Sequence, residues 1–111
     1  MASITRGTTP TITCTVGMDL TDYSCYLSIG KKAKSPWMTA DNEQMEFGVS
    51  EGTSTLAFTL TQAQTLACKA GPAQIQLRVV KDGVAIASDM APITIDDIIR
   101  DGEIEDVYDT D

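Results

Sequence analysis

The sequence has 111 residues, close to the commonest size of a single domain, so it can form one hydrophobic core but hardly two. Its 42% hydrophobic and 22% charged residues are ordinary for a folded globular protein and exclude a disordered or fibrous chain. The net charge of −8 is unevenly distributed, because from Asp96 onward eight acidic residues stand against Arg100 alone. We therefore expect one domain over residues 1–96, close to neutral, followed by an acidic C-terminal extension over residues 97–111.

The charge pattern also bears on the class of partner. An acidic extension repels phosphate backbones, and no basic face compensates for it, so we expect no nucleic-acid partner. Lys31, Lys32 and Lys34 form the basic cluster, which is typical of a solvent-exposed turn. No stretch approaches the roughly twenty apolar residues that cross a bilayer, and the N-terminus lacks an apolar signal segment. We expect a soluble protein, made in the cytosol, with no membrane partner.

The hydrophobic residues alternate with a period of two along most of the chain, which is typical of half-buried β-strands. Residues 11–16 show the pattern clearly, with Ile12, Cys14 and Val16 on one face and threonines on the other. The alternation predicts strands at 11–16, 24–29, 45–49, 56–60, 75–80, 84–88 and 93–95, with a shorter one at 37–40.

Two dipeptides indicate how neighbouring strands connect. Glu51-Gly52 separates the strands at 45–49 and 56–60, and Asp82-Gly83 separates those at 75–80 and 84–88. A glycine in the second position of a short connection is typical of hairpin turns. The sequence therefore predicts two antiparallel hairpins.

Residues 61–67 break the two-residue period. Thr61 followed by Gln64 has the spacing of a capping box, and Gly71-Pro72 supplies a stop, so we expect one or two helical turns. About seven short strands, with one short helix before the penultimate hairpin, predict an all-β, antiparallel β-sandwich of two sheets.

Residues with catalytic chemistry are scarce. The sequence has no histidine, which removes the commonest general base and metal ligand. Half of the carboxylates lie at or after Asp96, where nothing desolvates them, and the isolated glycines match no phosphate loop. Residues 101–106 lack the spacing of an EF-hand calcium loop. We predict that the protein is not an enzyme and needs no cofactor or metal.

The three cysteines, Cys14, Cys25 and Cys68, are an odd number without CxxC spacing. We expect them to be small, buried, reduced side chains, since free cysteine is among the most buried residue types. One pair could still form a disulfide in an extracellular setting.

Aromatic residues are few. Phe47 and Phe58 fall on core-facing positions of their strands, and Trp37 fits either the middle of a sandwich or an exposed anchor. A carbohydrate-binding module would need stacking aromatics on one exposed surface, which Trp37 or the tyrosines would have to supply.

The acidic extension contains apolar residues but is too polar to form a core. Such a segment orders against a partner or frays at the terminus. Ile98 and Ile99 either close a short helix or follow the sheet edge. The candidate partner-binding residues are Ile98, Ile99, Ile104, Val107 and Tyr108.

Three stretches of the sequence resemble a family of small phage and prophage proteins of Gram-positive bacteria. They are residues 4–11 (Ile-Thr-Arg-Gly-Thr-Thr-Pro-Thr), residues 60–66 with Ala70-Gly71, and residues 75–79 through to 99–104. In order and spacing these stretches are similar to the Ig-like domain at the N-terminus of siphophage baseplate upper proteins. They are also similar to stand-alone proteins encoded among phage structural genes. The likeness covers roughly residues 4–104, with little in residues 31–55.

The resemblance implies an Ig-like fold and a virion structural role of the tail or baseplate type. The implied partners are other virion proteins and copies of the chain itself, in the host cytoplasm during assembly and then in the virion. A head, neck or capsid decoration protein is an alternative of the same class. A soluble carbohydrate-binding module is an alternative of another class.

Overall fold

The computed structural model describes residues 2–31, 34–88 and 90–106. This part of the chain forms two β-sheets packed as a sandwich, which confirms the predicted all-β fold. The strands are β1 (Ala2–Thr5), β2 (Thr11–Val16), β3 (Ser24–Gly30), β4 (Met38–Ala40), β5 (Met45–Ser50), β6 (Thr53–Thr59), β7 (Gly71–Lys81), β8 (Val84–Ala87) and β9 (Ala91–Asp96). A 3₁₀ turn spans Asn42–Gln44, and the helix α1 spans Gln62–Leu66.

The two sheets differ in size. The large sheet has the order β1-β9-β7-β3-β4, and β8 also pairs with β7, over Arg78 to Lys81. The small sheet has the order β2-β6-β5. Neighbouring strands are antiparallel except β1 and β9, which run parallel with Ala2 opposite Ile93. The sequence did not predict β1, because this four-residue strand is too short to show a period.

The β7-β8 hairpin confirms the turn predicted at Asp82-Gly83. Both residues have positive φ angles, 50° and 80°, which is the type I′ geometry that Asp-Gly sequences favour. β7 is longer than expected and begins at Gly71, where the sequence suggested a stop. Pro72 fits there because it lies near the end of the strand, opposite Thr94 of β9.

The short helix has the predicted capping box. The Thr61 hydroxyl accepts a hydrogen bond from the Gln64 amide at 3.1 Å, and the Gln64 side-chain oxygen accepts one from the Thr61 amide at 3.0 Å. These two bonds satisfy amide groups that a five-residue helix cannot pair internally.

Replacing the capping residue therefore tests the helix directly. The Thr61→Ala substitution is expected to lower the free energy of unfolding by about 1 kcal/mol, because it removes the cap. Chemical denaturation of this variant beside Thr53→Ala, an exposed threonine at the start of β6, measures the difference. Equal unfolding free energies for the two variants would contradict the capping role.

The core lies between the facing sides of the two sheets. Leu27 and Ile29 of β3 and Leu56 and Phe58 of β6 are at most 1% exposed. Cys25 and Cys68 are also buried, and burial raises the pKa of both thiols, so they stay protonated at neutral pH.

Two aromatic side chains sit differently in this core. Trp37 is half-buried and packs against the core cluster, so it is no exposed anchor. Phe47 lies on a core-facing position as predicted, but it is less buried than a core residue, since 39% of it is exposed. Phe47 lies on the inward side of β5, opposite the buried Leu56, but β5 is an edge strand and little covers its inward side.

Candidate interaction surface

The chain leaves the large sheet after Asp96 and continues as a segment without helix or strand up to Asp106. We call residues 97–106 the C-terminal arm. Two aspartates shape its backbone, because Asp97 accepts a hydrogen bond from the Ile98 amide and Asp101 accepts one from the Gly102 amide. Such local carboxylate–amide bonds give an irregular segment a defined course.

Arg6, directly after β1, fixes the start of this arm. Its guanidinium donates to Oδ1 of Asp97 at 2.8 Å and to Oδ1 of Asp101 at 3.1 Å. The same group donates to the backbone oxygens of Leu66 and Cys68, both at 2.9 Å. These carbonyls lie at the C-terminal end of α1, where a helix leaves oxygens unpaired. One side chain thus joins the N-terminal strand, the helix and the arm.

Charge strengthens this junction. The Arg6 side chain is 15% exposed, whereas those of Asp97 and Asp101 are 61% and 73% exposed. The hydrogen bond from Arg6 is the main cause that holds the pKa of Asp97 below its ordinary value, helped by the bond from the Ile98 amide. The bond to Asp97 likewise raises the pKa of Arg6.

A second anchor lies at the other end of α1. The Gln62 side chain donates to the Ile104 oxygen at 3.2 Å and accepts from the Ile104 amide at 2.9 Å. The amide side chain therefore pairs with the backbone of Ile104 through both of its groups. The arm runs alongside α1, held by Arg6 near the helix end and by Gln62 near the helix start.

The five predicted partner-binding residues are placed in different ways. Ile98 is half-buried, and its Cδ1 atom lies close to Gly7, 3.0 Å from where a Cβ on that glycine would be. Ile98 therefore packs on its own domain. Ile99 is fully exposed, and Ile104 is 58% exposed although its backbone is fixed. Val107 and Tyr108 lie outside the described residues.

Exposed apolar and acidic groups alternate on the far part of the arm. Glu103 and Glu105 flank Ile104, and all three side chains are exposed. Apolar residues rimmed by charges are typical of surfaces that meet another protein. The arm is therefore a fixed segment with exposed side chains. The sequence had suggested that it either orders against a partner or frays.

Sequence reasoning did not identify the two anchoring residues. Arg6 had a signal, since it is an isolated cation in an uncharged N-terminal stretch while the C-terminal extension has excess acid. Gln62 had none, because a glutamine in the first turn of a helix is common in any surface helix.

The lowered pKa of Asp97 gives the arm a pH dependence. Because the folded pKa is depressed, the stabilisation from Asp97 is fully present above its unfolded pKa of about 4 and is lost as the pH falls through the lower folded value. Carbon NMR of the side-chain carboxyl is expected to show Asp97 titrating below the ordinary aspartate range. An Asp97 midpoint at or above the ordinary aspartate value would contradict the ion pair with Arg6.

The described residues contain no group of three or more cysteine, aspartate or glutamate side chains placed to hold a metal ion. Within the same residues, no helix has the length and apolar character needed to cross a membrane. Comparison with protein-family models and with curated proteins gives no match to this chain.

Proposed function

We propose that this chain is a structural protein of a phage virion, a non-catalytic assembly module of the tail or baseplate type. It acts through protein–protein contacts, and the observation that carries this proposal is the C-terminal arm. The arm is fixed at both ends of α1, while Ile99 is fully exposed and Ile104 is 58% exposed.

A fixed arm suits binding better than a loose one. A segment that is already ordered loses little conformational freedom on docking, so more of its contact energy is kept as affinity. An isoleucine held in water, as Ile99 is, gains free energy when a partner covers it. The flanking carboxylates then select partners with basic surfaces.

The strand order supports an Ig-like form of the sandwich. In an Ig-like domain, strands B, E and D share one sheet and strands C, F and G share the other. β2, β6 and β5 correspond to strands B, E and D, and β3 and β7 correspond to strands C and F. β8 and β9 lie one after the other along the same edge of β7, and together they correspond to strand G.

The location of the resembling stretches also supports the proposal. Arg6 belongs to the first stretch, Gln62 and Leu66 to the second, and Asp101 and Ile104 to the third. Hydrogen bonds join these residues at the two anchors of the arm, one at each end of α1. The stretches that resemble phage structural proteins therefore meet where the arm is attached.

Purified particles test the proposal. Virions produced from the genome that encodes this chain are expected to contain it in stoichiometric amounts by mass spectrometry. Immunogold electron microscopy is expected to place it at the tail or baseplate. Label on the head would move it to the neck or decoration class, and its absence from purified particles would refute the virion role.

A further inference from the structure

The outer face of the large sheet carries a groove that the C-terminal arm does not fill. Two adjoining cavities of about 340 and 120 Å³ form it, and Ser28 and Pro36 line both. Tyr26 and Arg78 line the larger cavity, and Lys31 lines the smaller one. We call this feature the outer groove.

The outer groove is basic. Arg78, Lys31 and Lys34 line it, and none of the lining residues within the described ranges 2–31, 34–88 and 90–106 is acidic. Arg78 is exposed, and no residue in the described part of the chain pairs with it. An unpaired arginine beside an exposed tyrosine is typical of protein interfaces, in which both residue types are enriched.

The C-terminal part of the same chain carries negative charge that complements the basic groove. From Asp96 onward the chain has eight of its sixteen acidic residues, with Arg100 as the one basic residue there. Glu103 and Glu105 of the arm are exposed and flank the apolar Ile104. Opposite charges placed around an apolar contact provide both attraction and specificity.

The arm of the same molecule does not occupy the groove. Gln62 fixes Ile104 beside α1, and no ion pair within the described residues joins an arm carboxylate to Arg78, Lys31 or Lys34. No described residue of the arm lines either cavity, so the groove is open to a second molecule.

We propose that the outer groove receives the acidic C-terminal arm of a second copy of this chain. This inference rests on the proposed assembly function and names its partner. Met90, which is exposed, lines the smaller cavity. In the proposed contact Tyr26 and Met90 touch Ile104, and Arg78 pairs with the flanking glutamates. The same contact, repeated in both directions, closes a dimer.

Charge reversal tests this contact in the full chain. Sedimentation equilibrium at low salt is expected to show self-association, which weakens at high salt because the contact is between exposed charges. Arg78→Glu, or Glu103→Lys with Glu105→Lys, is expected to weaken association at least about tenfold through like-charge repulsion. A chain that carries all three substitutions is expected to associate again, since the charges are exchanged. Lys69→Glu, an exposed lysine outside the groove, is the matched control.

The substituted side chains are exposed, so circular dichroism should show an unchanged fold for every variant. A monomer at all concentrations, or association that Arg78→Glu leaves unchanged, would overturn the inference. Glycan-array binding that requires Tyr26 and Arg78, without self-association, would assign the groove to carbohydrate and also overturn it. Detection in purified virions is independent of these results, so the virion role and the dimer contact can fail separately.

Discussion

The Arg6→Ala variant is expected to release the C-terminal arm while the sandwich stays folded. Arg6 provides four hydrogen bonds, two to backbone oxygens at the end of α1 and two to arm carboxylates. Their loss leaves the Gln62–Ile104 pair to hold the arm by itself, in an exposed position. Hydrogen exchange is expected to show the Ile104 amide exchanging as in an unstructured chain, whereas amides of β3 and β7 remain protected.

Arg100→Ala is the matched control for this prediction. Arg100 is an exposed arginine within the arm, and no described residue pairs with it, so its removal should leave the exchange of the Ile104 amide unchanged. Arg6→Lys should give an intermediate result, because an ammonium keeps the charge but cannot donate in four fixed directions. Full protection of the Ile104 amide in Arg6→Ala would show that Arg6 does not anchor the arm.

The Phe58→Ala variant is expected to have the largest effect on stability. Phe58 is completely buried in β6, the central strand of the small sheet, between Ile12 of β2 and Met45 of β5. Removing the ring leaves a cavity between the sheets and is expected to cost about 3–5 kcal/mol of unfolding free energy. Small domains have about 5–15 kcal/mol in total, so this loss is a large fraction. Urea denaturation followed by tryptophan fluorescence measures it.

Phe47→Ala serves as the comparison, because Phe47 also points inward but is 39% exposed. Its loss is expected to be smaller, roughly 1–2 kcal/mol, in proportion to its buried surface. A Phe58→Ala loss no larger than that of Phe47→Ala would contradict the position of the core between β6 and the large sheet.

These two phenylalanines show how far the sequence predicts this fold. The two-residue period correctly places both on the inward side of their strands. It cannot tell whether another element covers that side, which depends on where each sheet ends. β1 was missed because it is too short to show a period and because its pairing with β9 joins residues about ninety positions apart.

The arm was predicted in part. Composition identified an acidic extension with apolar residues, but not that Ile98 would pack beside Gly7 and Leu66 on its own domain. The ion pair that holds the arm joins Arg6 to Asp97, 91 residues away, and no local pattern reports such a contact. Local signals did predict α1, because its capping box lies within four consecutive residues.

Under the proposed virion role, we expect the far part of the arm to incorporate this chain into particles. The most direct measurement compares incorporation of the full chain with that of a chain ending at Gly102, which keeps Asp97 and Asp101 for Arg6 but lacks Glu103, Ile104 and the residues after them. The shortened chain is expected to fold, with the circular dichroism spectrum of the full chain, and to be missing from purified virions by mass spectrometry. Incorporation of the shortened chain at the level of the full chain would show that the far part of the arm is not needed.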